Sequence, residues 1–96
     1  MPAYMIVMRE EPIQDADAMT QYQTLTRQMH TDIKPLPKVI YGALEALEGE
    51  APDGMVMMEF ASMQQAHDWY HSGEYQKVLP YRLRAAKHRA FIVESL

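Results

Sequence analysis

Ninety-six residues, 48% hydrophobic and 23% charged with a formal net charge of −4, fit one ordinary globular domain and argue against a disordered chain. No uncharged stretch exceeds the nine residues Ala18–Thr26, far short of the roughly 20 apolar residues of a membrane helix. No basic-then-apolar leader is visible either, so a soluble, cytoplasmic protein is expected. Zero cysteines exclude disulfides, thiolate catalysis and Cys-ligated metal, and the acidic balance makes nucleic acid an unexpected partner.

Ala3–Arg9 is a short apolar run with Tyr, Ile and Val and no Gly or Pro, which predicts a first strand closed by Pro12. Asp15 or Asp17 can then cap a helix over about 15–31, with Ala18, Tyr22, Leu25 and Met29 on one face. Pro35 and Pro37 bar its continuation and make Lys34–Lys38 an extended connection. Val39–Tyr41 and Ala43–Leu47 read as the next extended segment, with Gly42 as a bulge or bend between them. The dense turn signal Glu48–Gly54 then leads into a strand over Met55–Phe60, so 43–60 reads as a hairpin.

Ser62 and Gln65 have the capping-box spacing, which starts a helix through Trp69 and Tyr70 to about Ser72, with Gly73 as its stop. A short helix over Glu74–Leu79, broken or restarted by Pro80, and a last helical stretch to Lys87 precede a fourth strand, His88–Glu94. The order β-α-β-β-α-β predicts an α+β, ferredoxin-like domain, one antiparallel four-stranded sheet with its helices on one face. Such a sheet should alternate apolar and polar residues, because one face is wet. Tyr4–Met8, Met55–Met58 and Ala90–Val93 do not alternate. A second copy of the chain, sheet against sheet about 10 Å apart, is the economical cover, which predicts a homodimeric barrel.

Met1-Pro-Ala-Tyr-Met-Ile-Val7, Gly42-Ala-Leu-Glu-Ala-Leu-Glu-Gly49, Val56-Met-Met-Glu-Phe60, Trp69-Tyr-His-Ser-Gly-Glu-Tyr75, Leu79-Pro-Tyr-Arg82 and Phe91-Ile-Val-Glu94 together resemble one family, domain of unknown function 1330. That family lies within the dimeric α/β-barrel superfamily. The resemblance spans almost the whole chain, and its Trp-Tyr…Ser-x-x-Tyr…Pro-x-Arg segment is the specific part. The family commonly carries an Arg-Gly-Gly element where this chain reads Ile40-Tyr41-Gly42. The resemblance implies the fold and a homodimer, and no agreed reaction. Superfamily relatives include cofactor-free monooxygenases, muconolactone isomerases and stress-responsive barrel proteins, a fold-level analogy only.

Several residues could carry chemistry. Tyr75, with Arg82 seven residues on, can hold a carboxylate or enolate, Arg bidentately and Tyr through one hydrogen bond, with Trp69 and Tyr70 lining the apolar part of the cleft. Plain packing of the aromatics and a salt bridge for Arg82 is the structural alternative. Glu59, if it faces inward, could move protons as acid or base, or else form an ion pair. His30 with Asp32 could pair as base and orienter, or His30 could simply sit well at a helix C-terminus. His67 and His71 share a helix face but lack a third metal ligand. Five bases and no acid over 77–89 read as an anion-attracting cluster or a solvated face. No phosphate-loop, dinucleotide or serine-hydrolase motif is present. Two readings follow: a cofactor-independent isomerase or monooxygenase-like enzyme acting on a small, anionic organic molecule between sheet and helices, and a non-catalytic dimeric ligand-binding or partner module.

Overall fold

The computed structural model describes residues 1–96. Strand β1 (Ala3–Arg9) runs through the middle of a four-stranded antiparallel sheet of order β2-β3-β1-β4, with β2 spanning Leu36–Ile40, β3 Gly54–Phe60 and β4 His88–Glu94. Helices α1 (Ala16–Gln28), α2 (Met63–Tyr70) and α3 (Gly73–Ala85) complete the chain. This is the ferredoxin-like arrangement, with the second helical unit split in two. No helix is long and apolar enough to cross a membrane.

Strand alternation divides the side chains. Ala3, Met5 and Val7 are buried towards the helices, beside Phe60, Met58 and Val56 across the β1–β3 ladder. Tyr4, Ile6 and Met8 point the other way, beside Glu59, Met57 and Met55, with Val93 and Phe91 on the β4 side. No helix lies over this second face, and Phe91 and Val93 are exposed. The lack of alternation in the strands therefore corresponds to an open apolar sheet face.

Asp15 caps α1 by accepting from the Ala18 N–H at 3.0 Å. The helix ends three residues earlier than its apolar spacing implies. Thr26 Oγ1 reaches back to the carbonyls of Tyr22 (2.9 Å) and Gln23 (3.0 Å), and Met29 is extended.

The second strand differs more from expectation. It begins at Leu36, not Val39, and includes Pro37, tolerated because β2 is an edge strand with a register shift between Pro37 and Val39. It stops at Ile40, and Ala43–Leu47 is an exposed loop. Tyr41 adopts φ 50°, in the left-handed region, and turns the chain off the sheet. The Tyr41 ring packs over Gly54, where an added Cβ would meet Cδ1 at 2.7 Å, and under the Arg9 guanidinium, 4.7 Å from its centroid.

Ser62 starts α2 as expected, accepting from the Gln65 N–H at 3.1 Å. Gly73 does not end it. Ser72 accepts from the Tyr75 N–H at 3.2 Å and caps α3, whose first residue is Gly73. Helix α3 then runs unbroken through Pro80, which removes a bond to the Gln76 carbonyl. Gln76 and Pro80 are both exposed, so water can serve that carbonyl. The core gathers Met5, Val7, Phe60, Ala66, Trp69, Tyr75, Val78 and Leu79 between α2, α3 and the sheet.

Candidate functional site

Helix α1 packs on α3, joined through Ala18, Met19 and Ala85, and the chain leading into it donates from Gln14 and Asp15 to the Ala85 carbonyl. Helix α2 rests on β1, β3 and β4 instead. A cavity of about 450 Å³ remains where α1 spans the β2–β3 side of the sheet, within the size range of small-molecule sites. Val7, Val56 and Met58 contribute from the sheet, Pro37 and Ile40 from β2, and Trp69 from α2.

Arg82 reaches this cavity from α3. It falls on the buried stripe Tyr75, Val78, Leu79, Arg82 and Ala85 and is only 4% exposed. Its Nε donates to the Tyr75 hydroxyl at 3.3 Å, and no carboxylate lies within 4 Å of it. The Tyr75 hydroxyl, on a side chain 1% exposed, is 2.8 Å from that of Tyr22. Tyr75 does not line the cavity; Tyr22 does. When Tyr75 accepts from Arg82 and donates to Tyr22, the Tyr22 hydroxyl proton is free for an acceptor inside the cavity.

Burial, then the neighbouring Tyr75, push the Tyr22 phenol above its ordinary range, so it is neutral and acts as a donor. Burial opposes the Arg82 charge, yet Tyr75 and Tyr22 together raise its pKa. At neutral pH the cation stands against its burial with one phenol oxygen as partner. Behind it, His88 is held below the usual histidine range, first by burial and then by the Arg82 charge. His88 Nδ1 lies 2.9 Å from the Ala86 carbonyl, and Nε2 is buried without a partner.

The candidate residues divide accordingly. Tyr75 and Arg82 meet, with Trp69 stacked on Tyr75 at 4.4 Å between centroids and contributing to the cavity wall. Tyr70 packs against Tyr75, 5.4 Å between centroids, and does not line the cavity. Glu59 is on the open sheet face, 3.9 Å from the Lys38 Nζ, because alternation from Met58 turns it away from the helices. His30 is exposed after α1 and lines a smaller, adjoining cleft of about 270 Å³ with Asp32, Asp68 and Glu74, which shares Thr31 and Trp69 with the main cavity. The His67 and His71 rings lie 4.4 Å apart on the surface, tilted by 47°, and no group of three or more His, Asp or Glu side chains is placed to hold a metal ion.

Sequence reasoning missed Tyr22 as a site residue, together with Arg27 and Lys34, which also line the main cavity. The position of Tyr22 on the apolar face of α1 was the available signal, since a phenol placed there needs a buried partner.

The chain matches the family described as "Domain of unknown function (DUF1330)" over residues 2–96. It belongs to the DUF1330 family. No curated protein matches it. Among solved structures, this DUF1330 chain is similar to an "ethyl tert-butyl ether d (ethd) family protein" of Bacillus halodurans C-125, at 18% identity and TM-score 0.63 over 100% of both chains. It is similar to a protein of unknown function from Rhodopseudomonas palustris, at 19% identity and TM-score 0.64 over 99% of this chain and 82% of that one. A third is a dimeric ferredoxin-like protein of unknown function from Jannaschia sp. CCS1, at 12% identity and TM-score 0.65, covering 99% and 100% of the two chains. At these identities the shared property is the fold.

Proposed function

We propose that this DUF1330 protein binds a small organic anion in the cavity under α1, with the Arg82 guanidinium as anchor and the Tyr22 phenol as second donor. The observation that carries the reading is a buried cation, beside a cavity, with no carboxylate to neutralise it. A desolvated guanidinium offers a carboxylate two parallel N–H donors, and the bond is stronger there than in water. Tyr75 is a positioning residue behind Tyr22, and Trp69 supplies apolar wall.

Binding without turnover is the better-supported form of this proposal. The same donors could stabilise a developing enolate in an isomerase or a cofactor-independent oxygenase. A proton-abstracting step needs a base within reach of the substrate, and no Asp, Glu or His lines the cavity.

The proposal includes pairing of two copies across the open sheet face. Its support is the row Tyr4, Ile6, Met8, Met55, Met57, Phe91 and Val93 on one uncovered surface, and the description of the Jannaschia neighbour as dimeric. Burying such a patch is the usual reason for its presence on a folded protein.

Titration calorimetry with short-chain carboxylates tests the site. Saturable binding is expected, weakened at least tenfold in Arg82→Met, as loss of a charge-assisted pair implies. Equal affinity in the variant would remove Arg82 from the site.

A further inference from the structure

Resting on that reading of the site, the distribution of charge around the cavity points to the class of ligand. We propose that the ligand carries two anionic groups separated by a short apolar spacer, as in an aliphatic dicarboxylate. One group sits on Arg82 and the other on Arg27 and Lys34.

Three cations line the cavity, Arg82, Arg27 and Lys34, and no acidic residue does, on a chain with a formal net charge of −4. Elsewhere the bases are mostly paired: Arg9 with Asp53, Lys38 with Glu59, Arg84 with Asp15 and Arg89 with Glu10. The three cavity cations have no carboxylate within 4 Å, and Arg27 and Lys34 make no side-chain hydrogen bond.

The cations occupy two levels. Arg82 is buried, whereas Arg27, in the last turn of α1, and Lys34, just before β2, are exposed and border the cavity where it opens to solvent. Val56, Met58, Ile40 and Pro37 supply apolar wall in the same cavity. A monoanion seated on Arg82 would leave the outer pair unused. A second anionic group joined by methylene or unsaturated carbons would engage them while the apolar wall covers the spacer. Exposed ion pairs are individually weak, so the outer pair together is expected to add roughly tenfold in affinity.

The experiment compares the dicarboxylates succinate, glutarate, adipate and pimelate with the monocarboxylates of equal chain length, by calorimetry at pH 7.5 and fixed ionic strength. The proteins are the parent chain, Arg82→Met, and the double variant Arg27→Gln/Lys34→Gln, whose two sites are exposed. One diacid length should bind roughly tenfold tighter than its monoacid. The double variant should erase the diacid-over-monoacid ratio while monoacid binding keeps its dependence on Arg82, and Arg82→Met weakens both. Diacid and monoacid binding equally, or an advantage that is flat across chain lengths or survives the double variant, overturns the two-anion proposal. With Arg82-dependent binding still present, the single-anion reading survives that result. Absence of Arg82-dependent binding overturns both.

Discussion

Replacing Arg82 by Met should make the ligand-free protein more stable. The substitution keeps an unbranched stem of similar reach and removes a guanidinium that is 4% exposed and bonded only to Tyr75, at 3.3 Å. Loss of that hydrogen bond costs about 1 kcal/mol, and Tyr75 keeps Tyr22 as its partner. Against this stands the penalty for a desolvated, unpaired charge, several kcal/mol for a fully buried ion, taken as about 2 kcal/mol here because the fork reaches the cavity. The balance is a gain of roughly 1 kcal/mol, or a Tm rise of about 4–8 °C for a chain of this size. Thermal and urea unfolding followed by circular dichroism, at pH 7 and matched protein concentration, reads it directly. A loss of more than about 1 kcal/mol would refute the reasoning, because Arg82 would then hold the fold together through its charge.

Three further outcomes follow from the geometry. Ile6→Asp, on the open face directly opposite Met57, should abolish self-association in sedimentation while leaving the far-ultraviolet spectrum unchanged; an unaltered sedimentation coefficient would move the interface elsewhere. Gly54→Ala should destabilise by about 1–3 kcal/mol in urea titration, because the new Cβ lies 2.7 Å from Tyr41 Cδ1 and that ring is held by Arg9. The third concerns His88, whose folded-state pKa is lowered below 6.5 by burial first and by Arg82 second. Below pH 6.5 the unfolded chain therefore takes up a proton that the folded chain refuses, so stability is full above that pH and declines as pH falls towards the folded value. His88→Asn should flatten this part of the stability–pH profile, and an unchanged slope would assign the proton to another group.

Much of the architecture was legible because local signals agreed. The apolar run of β1, the Asp15 cap and the Ser62–Gln65 box each specify one element without outside help. The errors arose where one residue type permits two roles. Gly73 reads as a helix stop, but Ser72 before it supplies a cap, so the same glycine opens α3. Pro37 reads as a breaker and lies inside an edge strand, where no ladder hydrogen bond is asked of it. Ala43–Leu47 reads as a continuation of the extended segment beyond Gly42 but has no neighbour to pair with once Tyr41 has turned the chain.

The site was half legible. Their seven-residue separation placed Tyr75 and Arg82 near one cleft, but the burial of the cation emerges only once α3 runs unbroken through Pro80 and sets Arg82 on the stripe Tyr75–Val78–Leu79. The partner of Tyr75, 53 residues earlier, was invisible without the packing of α1 on α3. Glu59 was undecidable because both faces of its strand are apolar, so its side depends on the register with β1.

The irregular edge at β2 also limits how the sheet can grow. Pro37 has no N–H to offer, and the slip between Pro37 and Val39 interrupts the even spacing that an incoming strand would need. Along that border the slip interrupts the continuous ladder that an extended peptide or another subunit would need, which disfavours strand-by-strand growth there. The opposite edge, β4, keeps an unbroken register with β1, so open-ended growth by strand addition is confined to that side.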